Sequence, residues 1–184
     1  MFGKLAESLQ IRRNLAPVRK KNCCVLRLAR SPKDYVEKGN ILAIQLDAEF
    51  ELSSQDKKSV PPHLSVWAEF LTTPQQAYGF LQENSPTSPR KLLLRLKVDE
   101  ILKIVGSSGD GGLHYNLVSV IWVHLYKDQV RDCRLGAEGH CGITGLDEKS
   151  APKGLTKAQA KLLRKDLRSK LAELASKNHS LLND

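Results

Sequence analysis

Alternation of apolar and polar residues predicts five β-strands within residues 23–126. The segment 41–52 alternates most clearly, with one apolar face and an opposite face that carries Asp47, Glu49 and Glu51. The segment 113–126 is apolar on both faces at its centre, which favours a strand in the middle of a sheet. The three remaining strands are predicted over 23–29, 63–70 and 91–98.

Helical patterns lie near both ends of the chain and once between them. Residues 2–12 form a short amphipathic pattern, and the pair Thr73-Pro74 is typical of an N-cap followed by a first helical residue. Thr156 is predicted to cap a long helix that ends near Lys177. These elements predict an α+β fold, in which about five largely antiparallel strands are packed by two or three helices.

The pattern divides the chain into four segments. Residues 1–21 are predicted to be a basic helix and linker, and 22–126 the α+β core. Residues 127–155 hold five glycines without a clear period, so we expect a long loop that is either functional or mobile. Residues 156–184 hold the C-terminal amphipathic helix, which we expect to pack on the core. A chain of 184 residues is long enough to bury one core without metals or disulfides.

Charge is concentrated at the two ends. The chain has a formal net charge of +9. Residues 1–21 carry six basic residues and one acidic residue, and residues 157–177 carry seven and two, so each end has a charge of +5 and the rest has −1. Basic ends are typical of proteins that contact polyanions, although a solvated surface shows the same composition.

The C-terminal helix is the main candidate for a binding surface. Its basic residues follow helical spacing beside an apolar stripe, so the helix can dock through its leucines and present its charge outward. No aromatic residues are interleaved, which argues against base stacking. We therefore predict a non-enzymatic binding or adaptor module that contacts nucleic acid or an acidic protein surface and needs no cofactor. The predicted contact residues are Lys157, Lys161, Arg164, Lys165, Arg168, Arg19, Lys20 and Lys21.

Two alternatives involve the same helix and the acidic strand face. The leucine seam can mate with a helix of a partner protein, which would make the chain a protein–protein interaction module. Asp47, Glu49 and Glu51 can instead hold Mg²⁺ beside Lys97, as in a nuclease or another hydrolase. We favour a structural role for these carboxylates, as cross-strand partners of the basic face of strand 91–98.

Cys133, His140 and Cys141 raise two further enzymatic or metal-binding possibilities. Thiolate and imidazole bind zinc, but structural zinc sites usually have two close ligand pairs; here a further ligand must come from a distant position such as His114 or His124. Either cysteine can act as a nucleophile beside an imidazole, yet no flanking signature supports this. We therefore predict no metal site.

Cysteine usage and hydropathy indicate a cytoplasmic protein. Two of the four cysteines are adjacent, which suits a disulfide framework poorly, so we expect reduced thiols. No apolar run reaches the roughly 18 residues that a membrane span needs, so we expect no membrane partner.

Overall fold

The structure, a computed structural model, describes residues 16–18, 20, 22–30, 43–84, 91–109, 112–127, 130–132 and 136–182. Within them lie a six-stranded antiparallel sheet, five α-helices and two small two-stranded ribbons. This confirms the predicted α+β class, but the main sheet has six strands instead of five. No helix in these ranges has the length and apolar character needed to cross a membrane.

The ten strands, in chain order, are β1 (Cys24–Ala29), β2 (Leu64–Ala68), β3 (Leu92–Lys97), β4 (Gly106–Ser107), β5 (His114–Tyr115), β6 (Ser119–Trp122), β7 (Tyr126–Lys127), β8 (Val130–Arg131), β9 (His140–Thr144) and β10 (His179–Leu181). The main sheet has the order β10-β3-β1-β2-β9-β6, with every neighbouring pair antiparallel. The ribbons are β4 with β5 and β7 with β8. The helices are α1 (Ala43–Leu46), α2 (Ser54–Lys58), α3 (Pro74–Asn84), α4 (Val98–Ile101) and α5 (Lys157–Ser176).

Both faces of the sheet are buried, each against different helices. Along β1, Val25 and Ala29 belong to the larger core that includes α1 and α5, whereas Leu26 and Leu28 belong to a smaller core with α3. Successive side chains of a strand point to opposite faces, so one strand supplies both cores. The sheet therefore separates α5 from α3.

The sequence signals for α5 and α3 are confirmed. Thr156 Oγ1 accepts from the Gln159 amide at 3.2 Å while Gln159 Oε1 accepts from the Thr156 amide at 3.0 Å, which satisfies amides at the start of α5. Thr73 and Gln76 make the equivalent pair of hydrogen bonds at the start of α3. On α5 the leucines at 163, 167 and 171 are fully buried, as the apolar stripe predicts.

The predicted strand over 41–52 is wrong within its described part. Residues 43–46 form α1, and Asp47–Phe50 form a 3₁₀ turn. Leu46 and Phe50 are buried as predicted, but Ile44 is 82% exposed and Glu49 is buried. Leu46 and Phe50 are four residues apart. This spacing fits the two-residue period of a strand and nearly fits the 3.6-residue period of a helix, so the two residues do not distinguish a strand from a helix.

The predicted central strand over 113–126 is interrupted and lies at the edge of the sheet. Only Ser119–Trp122 joins the main sheet, as β6. Its outer edge is hydrogen-bonded by residues 16–18: the Val18 amide donates to Val120 O and the Trp122 amide donates to Ala16 O, both at 2.9 Å. Residues 16–18 thus satisfy backbone groups on the outer edge of β6, which would otherwise be unpaired.

The segment 127–155, predicted to be a loop, contains β8 and the interior strand β9. Cys141 and Ile143 of β9 alternate with His140 and Gly142. A glycine has no side chain to mark a face, so the sequence pattern of β9 shows little hydrophobic alternation. The predicted helix over 2–12, the predicted contacts Arg19 and Lys21, and Cys133 lie outside the described residues.

Candidate nucleic-acid interface

A cleft of about 670 Å³ runs along the first half of α5. Its other walls are formed by Glu51, which follows the 3₁₀ turn, by α2, and by the residues that follow β9. Nine of its lining side chains are charged, and the basic ones outnumber the acidic ones two to one. The basic side chains are Lys57, Lys149, Lys161, Arg164, Lys165 and Arg168, and the acidic ones are Glu51, Asp147 and Glu148.

Helical spacing places four of the five predicted helix residues on this wall. Lys161 and Lys165, like Arg164 and Arg168, are four residues apart, and the two pairs are offset by three, which puts all four side chains on one side of α5 next to its buried leucines. Lys157 lies one turn earlier on an exposed part of the helix. Lys57 and Lys149 were missed by the sequence reasoning, because single charges in loops and short helices show no period.

Lys161 and Lys165 are the exposed cations on the α5 wall of the cleft. Both side chains reach solvent, and neither makes an ion pair with any residue that the structure describes. They are separated by one helical turn, about 6 Å along the axis. Two exposed ammonium groups at this spacing are available to an anion that enters the cleft.

Arg168 connects α5 to the 3₁₀ turn. Its guanidinium lies 3.8 Å from an Asp47 carboxylate oxygen and 3.4 Å from one of Glu51. Ser169 Oγ also donates to Asp47 at 3.2 Å. The Arg168 side chain is only about one-fifth exposed, so this interaction is part of the packing of α5.

Arg164 has a different kind of partner. Its guanidinium lies 3.2 Å from Glu148, whose side chain is 85% exposed, whereas that of Arg164 is 20% exposed. The neighbouring Asp147 carboxylate turns inward and accepts from the amides of Lys149 and Ser150 at 2.8 and 3.2 Å, and also from the Ser150 hydroxyl. Glu148 is therefore a solvent-exposed carboxylate paired with an arginine whose side chain is four-fifths buried.

Lys20 does not join this surface. Its ammonium lies 3.9 Å from the centre of the Phe70 ring, and Phe70 packs edge-on against Trp122. Phe70 lies two residues after the end of β2, whereas the cleft residue Pro62 lies two residues before its start. Lys20 and the α5 cleft therefore lie at opposite ends of β2, and the predicted role of Lys20 in binding stays a prediction.

No protein-family model matches the chain, and no curated protein or solved structure shows significant similarity to it.

The carboxylates proposed for a nuclease do not converge on an open point. Glu49 is buried and accepts from Arg30 Nε at 3.1 Å, while Asp47 and Glu51 face Arg168. We expected these carboxylates to pair with the basic face of strand 91–98, but their described partners lie elsewhere. Strand β3 lies between β1 and β10, and its Arg95 binds Glu69 at 2.7 Å.

His140 and Cys141 cannot act on each other. They are successive residues of β9 and point to opposite faces, so the Cys141 thiol lies in the core with α5 while His140 contacts Trp67 on the other face. Burial raises the pKa of Cys141 to about 12, which disfavours a nucleophilic thiolate. In the described part of the chain, no three histidine, cysteine or acidic side chains are placed to hold a metal ion.

A buried histidine pair on the α3 side of the sheet was not predicted from the sequence. The His63 and His140 rings meet edge-on with their centres 6.0 Å apart, and each Nδ1 lies within 3.0 Å of a backbone carbonyl, of Pro61 and Val123 respectively. Burial, the main cause, lowers the pKa of His140 to about 4. A neutral histidine with one ring nitrogen bound to a carbonyl fits a structural role in the sheet.

Proposed function

We propose that the protein binds nucleic acid through the α5 cleft, as a non-enzymatic binding or adaptor module. The observation that carries the proposal is the pair of exposed lysines, Lys161 and Lys165, which lie beside Arg164 on one wall of the cleft. The cleft lining as a whole has three more positive than negative side chains. Phosphate groups spaced along a strand are the complementary anions.

The cleft composition favours contact with phosphates over contact with bases. Its described lining residues include no aromatic side chain on which a base can stack. Phosphate contacts carry little sequence information, so we expect weak sequence preference. The same charges suit an acidic protein surface, which is therefore one outcome to be separated by experiment.

The leucine seam of α5 does not support a partner helix. Leu163, Leu167 and Leu171 are fully buried against the chain's own sheet. The proposal therefore assigns the binding role to the charged side of α5. It also places the protein in the cytoplasm, where Cys23, Cys24 and Cys141 remain thiols.

The test measures binding of a fluorescein-labelled 20-base-pair DNA duplex and of an RNA of equal length by anisotropy, over a range of salt concentrations. Changing Lys161 and Lys165 together to Gln should lower the affinity and flatten the log–log salt slope on the duplex by about 2, since each neutralised phosphate contributes about 0.9. Stability should change little, because both side chains are exposed.

The matched control changes Lys103 and Lys177, two exposed lysines outside the cleft, to Gln. It removes the same charge and should leave the slope nearly unchanged. Equal effects of the two double variants would show that only net charge matters, and the absence of binding by the parent to either nucleic acid would reject the proposal. An acidic protein of similar charge density serves as the competing ligand.

A further inference from the structure

We propose that Arg164 is a phosphate-binding subsite, which the Glu148 carboxylate occupies until a ligand displaces it. This inference rests on the proposed function, since it identifies which group of the cleft receives a phosphoryl oxygen. The ligand chemistry is a phosphoryl group, from a nucleic-acid backbone or from free phosphate.

The geometry of Arg164 supports an exchangeable partner. Its side chain is four-fifths buried along α5, which holds the guanidinium in a fixed direction, while Glu148, 3.2 Å away, is almost fully in solvent. Exposed ion pairs contribute little free energy and exchange readily with other anions. A guanidinium binds the paired oxygens of carboxylates and phosphates with the same forked geometry.

Asp147 and Asp47 are not exchangeable in this way. Asp147 is held by two backbone amides and by the Ser150 hydroxyl. Asp47, behind Arg168, is held by Ser169. Glu51 is 61% exposed and lies 3.4 Å from Arg168, but Arg168 also faces Asp47. Glu148 is thus the carboxylate whose displacement leaves an arginine of the cleft without an ion pair among the described residues.

The first experiment compares Glu148→Gln with Glu138→Gln in the anisotropy assay. Both changes remove one negative charge from an exposed side chain, but Glu148 follows β9 and lies in the cleft, whereas Glu138 precedes β9 at its opposite end. Glu148→Gln should tighten nucleic-acid binding about 1.5- to 5-fold, the range expected for removing a competing surface ion pair. Glu138→Gln should change it by less.

A double-mutant cycle identifies Arg164 as the group that Glu148 occupies. In the Arg164→Gln background, Glu148→Gln should no longer strengthen binding more than Glu138→Gln does. The subsite is rejected if Glu148→Gln tightens binding equally in the presence and in the absence of Arg164. It is also rejected if, with Arg164 present, Glu148→Gln tightens binding no more than Glu138→Gln does. Neither result contradicts binding that depends on the lysines.

Inorganic phosphate provides a readout that does not depend on nucleic acid. Titrated into the ¹⁵N-labelled protein, phosphate should shift the Arg164 Nε–Hε resonance in a saturable way, at lower concentration in Glu148→Gln than in the parent. If the parent binds no nucleic acid but shows this shift, the subsite serves free phosphate and the proposed function fails. If neither nucleic acid nor phosphate acts on Arg164, the inference is overturned.

Discussion

At the residue scale, Gly142 shows how one missing side chain lets the sheet form. A Cβ atom at this position would lie 2.6–2.7 Å from Cβ, Cγ and Cδ2 of His63. These atoms belong to the base and near edge of a buried ring, which has little room to move away. The glycine therefore lets His63 pack directly on β9, beside His140.

We expect Gly142→Ala to lower the free energy of unfolding by about 1–3 kcal/mol, the usual cost of overpacking a core. Gly79→Ala is the matched control, because Gly79 lies in α3 and nothing stands within 4 Å of its added Cβ. That change should raise stability by about 0.5–1 kcal/mol through helix propensity. Urea denaturation of both variants tests the pair, and a neutral Gly142→Ala would show that His63 moves freely.

His140 makes stability depend on acid. Its pKa is 6.5 when unfolded and about 4 when buried, so the unfolded chain takes up a proton first as the pH falls. The His140 contribution to the free energy of unfolding should therefore decrease from pH 6.5 downward, by about 3 kcal/mol at pH 4.

The measurement compares urea denaturation of the parent and of His140→Gln at pH 7.5 and pH 4. The variant should lose about 3 kcal/mol less between the two pH values, because its side chain does not titrate. Equal losses in both proteins would mean that His140 is protonated in the folded state.

At the element scale, α5 depends on its buried stripe more than on its charged side. Leu167 is fully buried between the sheet and Gly106 of β4, while Leu162 on the same helix is 49% exposed. We expect Leu167→Ala to lower the free energy of unfolding by about 2–5 kcal/mol. Leu162→Ala should cost less than about 1 kcal/mol, and thermal denaturation followed by circular dichroism distinguishes them. Equal costs would contradict the burial of the stripe.

At the scale of the whole molecule, Lys20 and the α5 cleft lie apart. Lys20 lies over Phe70 at one end of β2, and the α5 cleft begins near the other end. We expect Lys161→Gln to flatten the salt slope on duplex DNA by about 1 and Lys20→Gln to leave it nearly unchanged. The anisotropy assay at several salt concentrations measures both. An equal change in slope would mean that nucleic acid contacts both ends.

The sequence by itself determined the elements whose signals are local. The Thr156 and Thr73 caps predict where α5 and α3 begin, and runs rich in Leu and Val predict β1 and β3. The basic side of α5 follows from helical spacing alone, so four of its five predicted contact residues line the cleft. Such signals act within one or two turns of the chain, where neighbouring residues already decide the free energy.

Only the tertiary structure decided the rest, because it depends on partners distant in sequence. Residues 43–50 are helical because Leu46 and Phe50 pack on the core with α5, although their spacing also fits a strand. Glu148 was brought to Arg164, and Asp47 and Glu51 to Arg168, by folding across 16 to 121 residues of chain. No local period records such contacts, so the sequence predicts the charges of the cleft wall but not the carboxylates that face them.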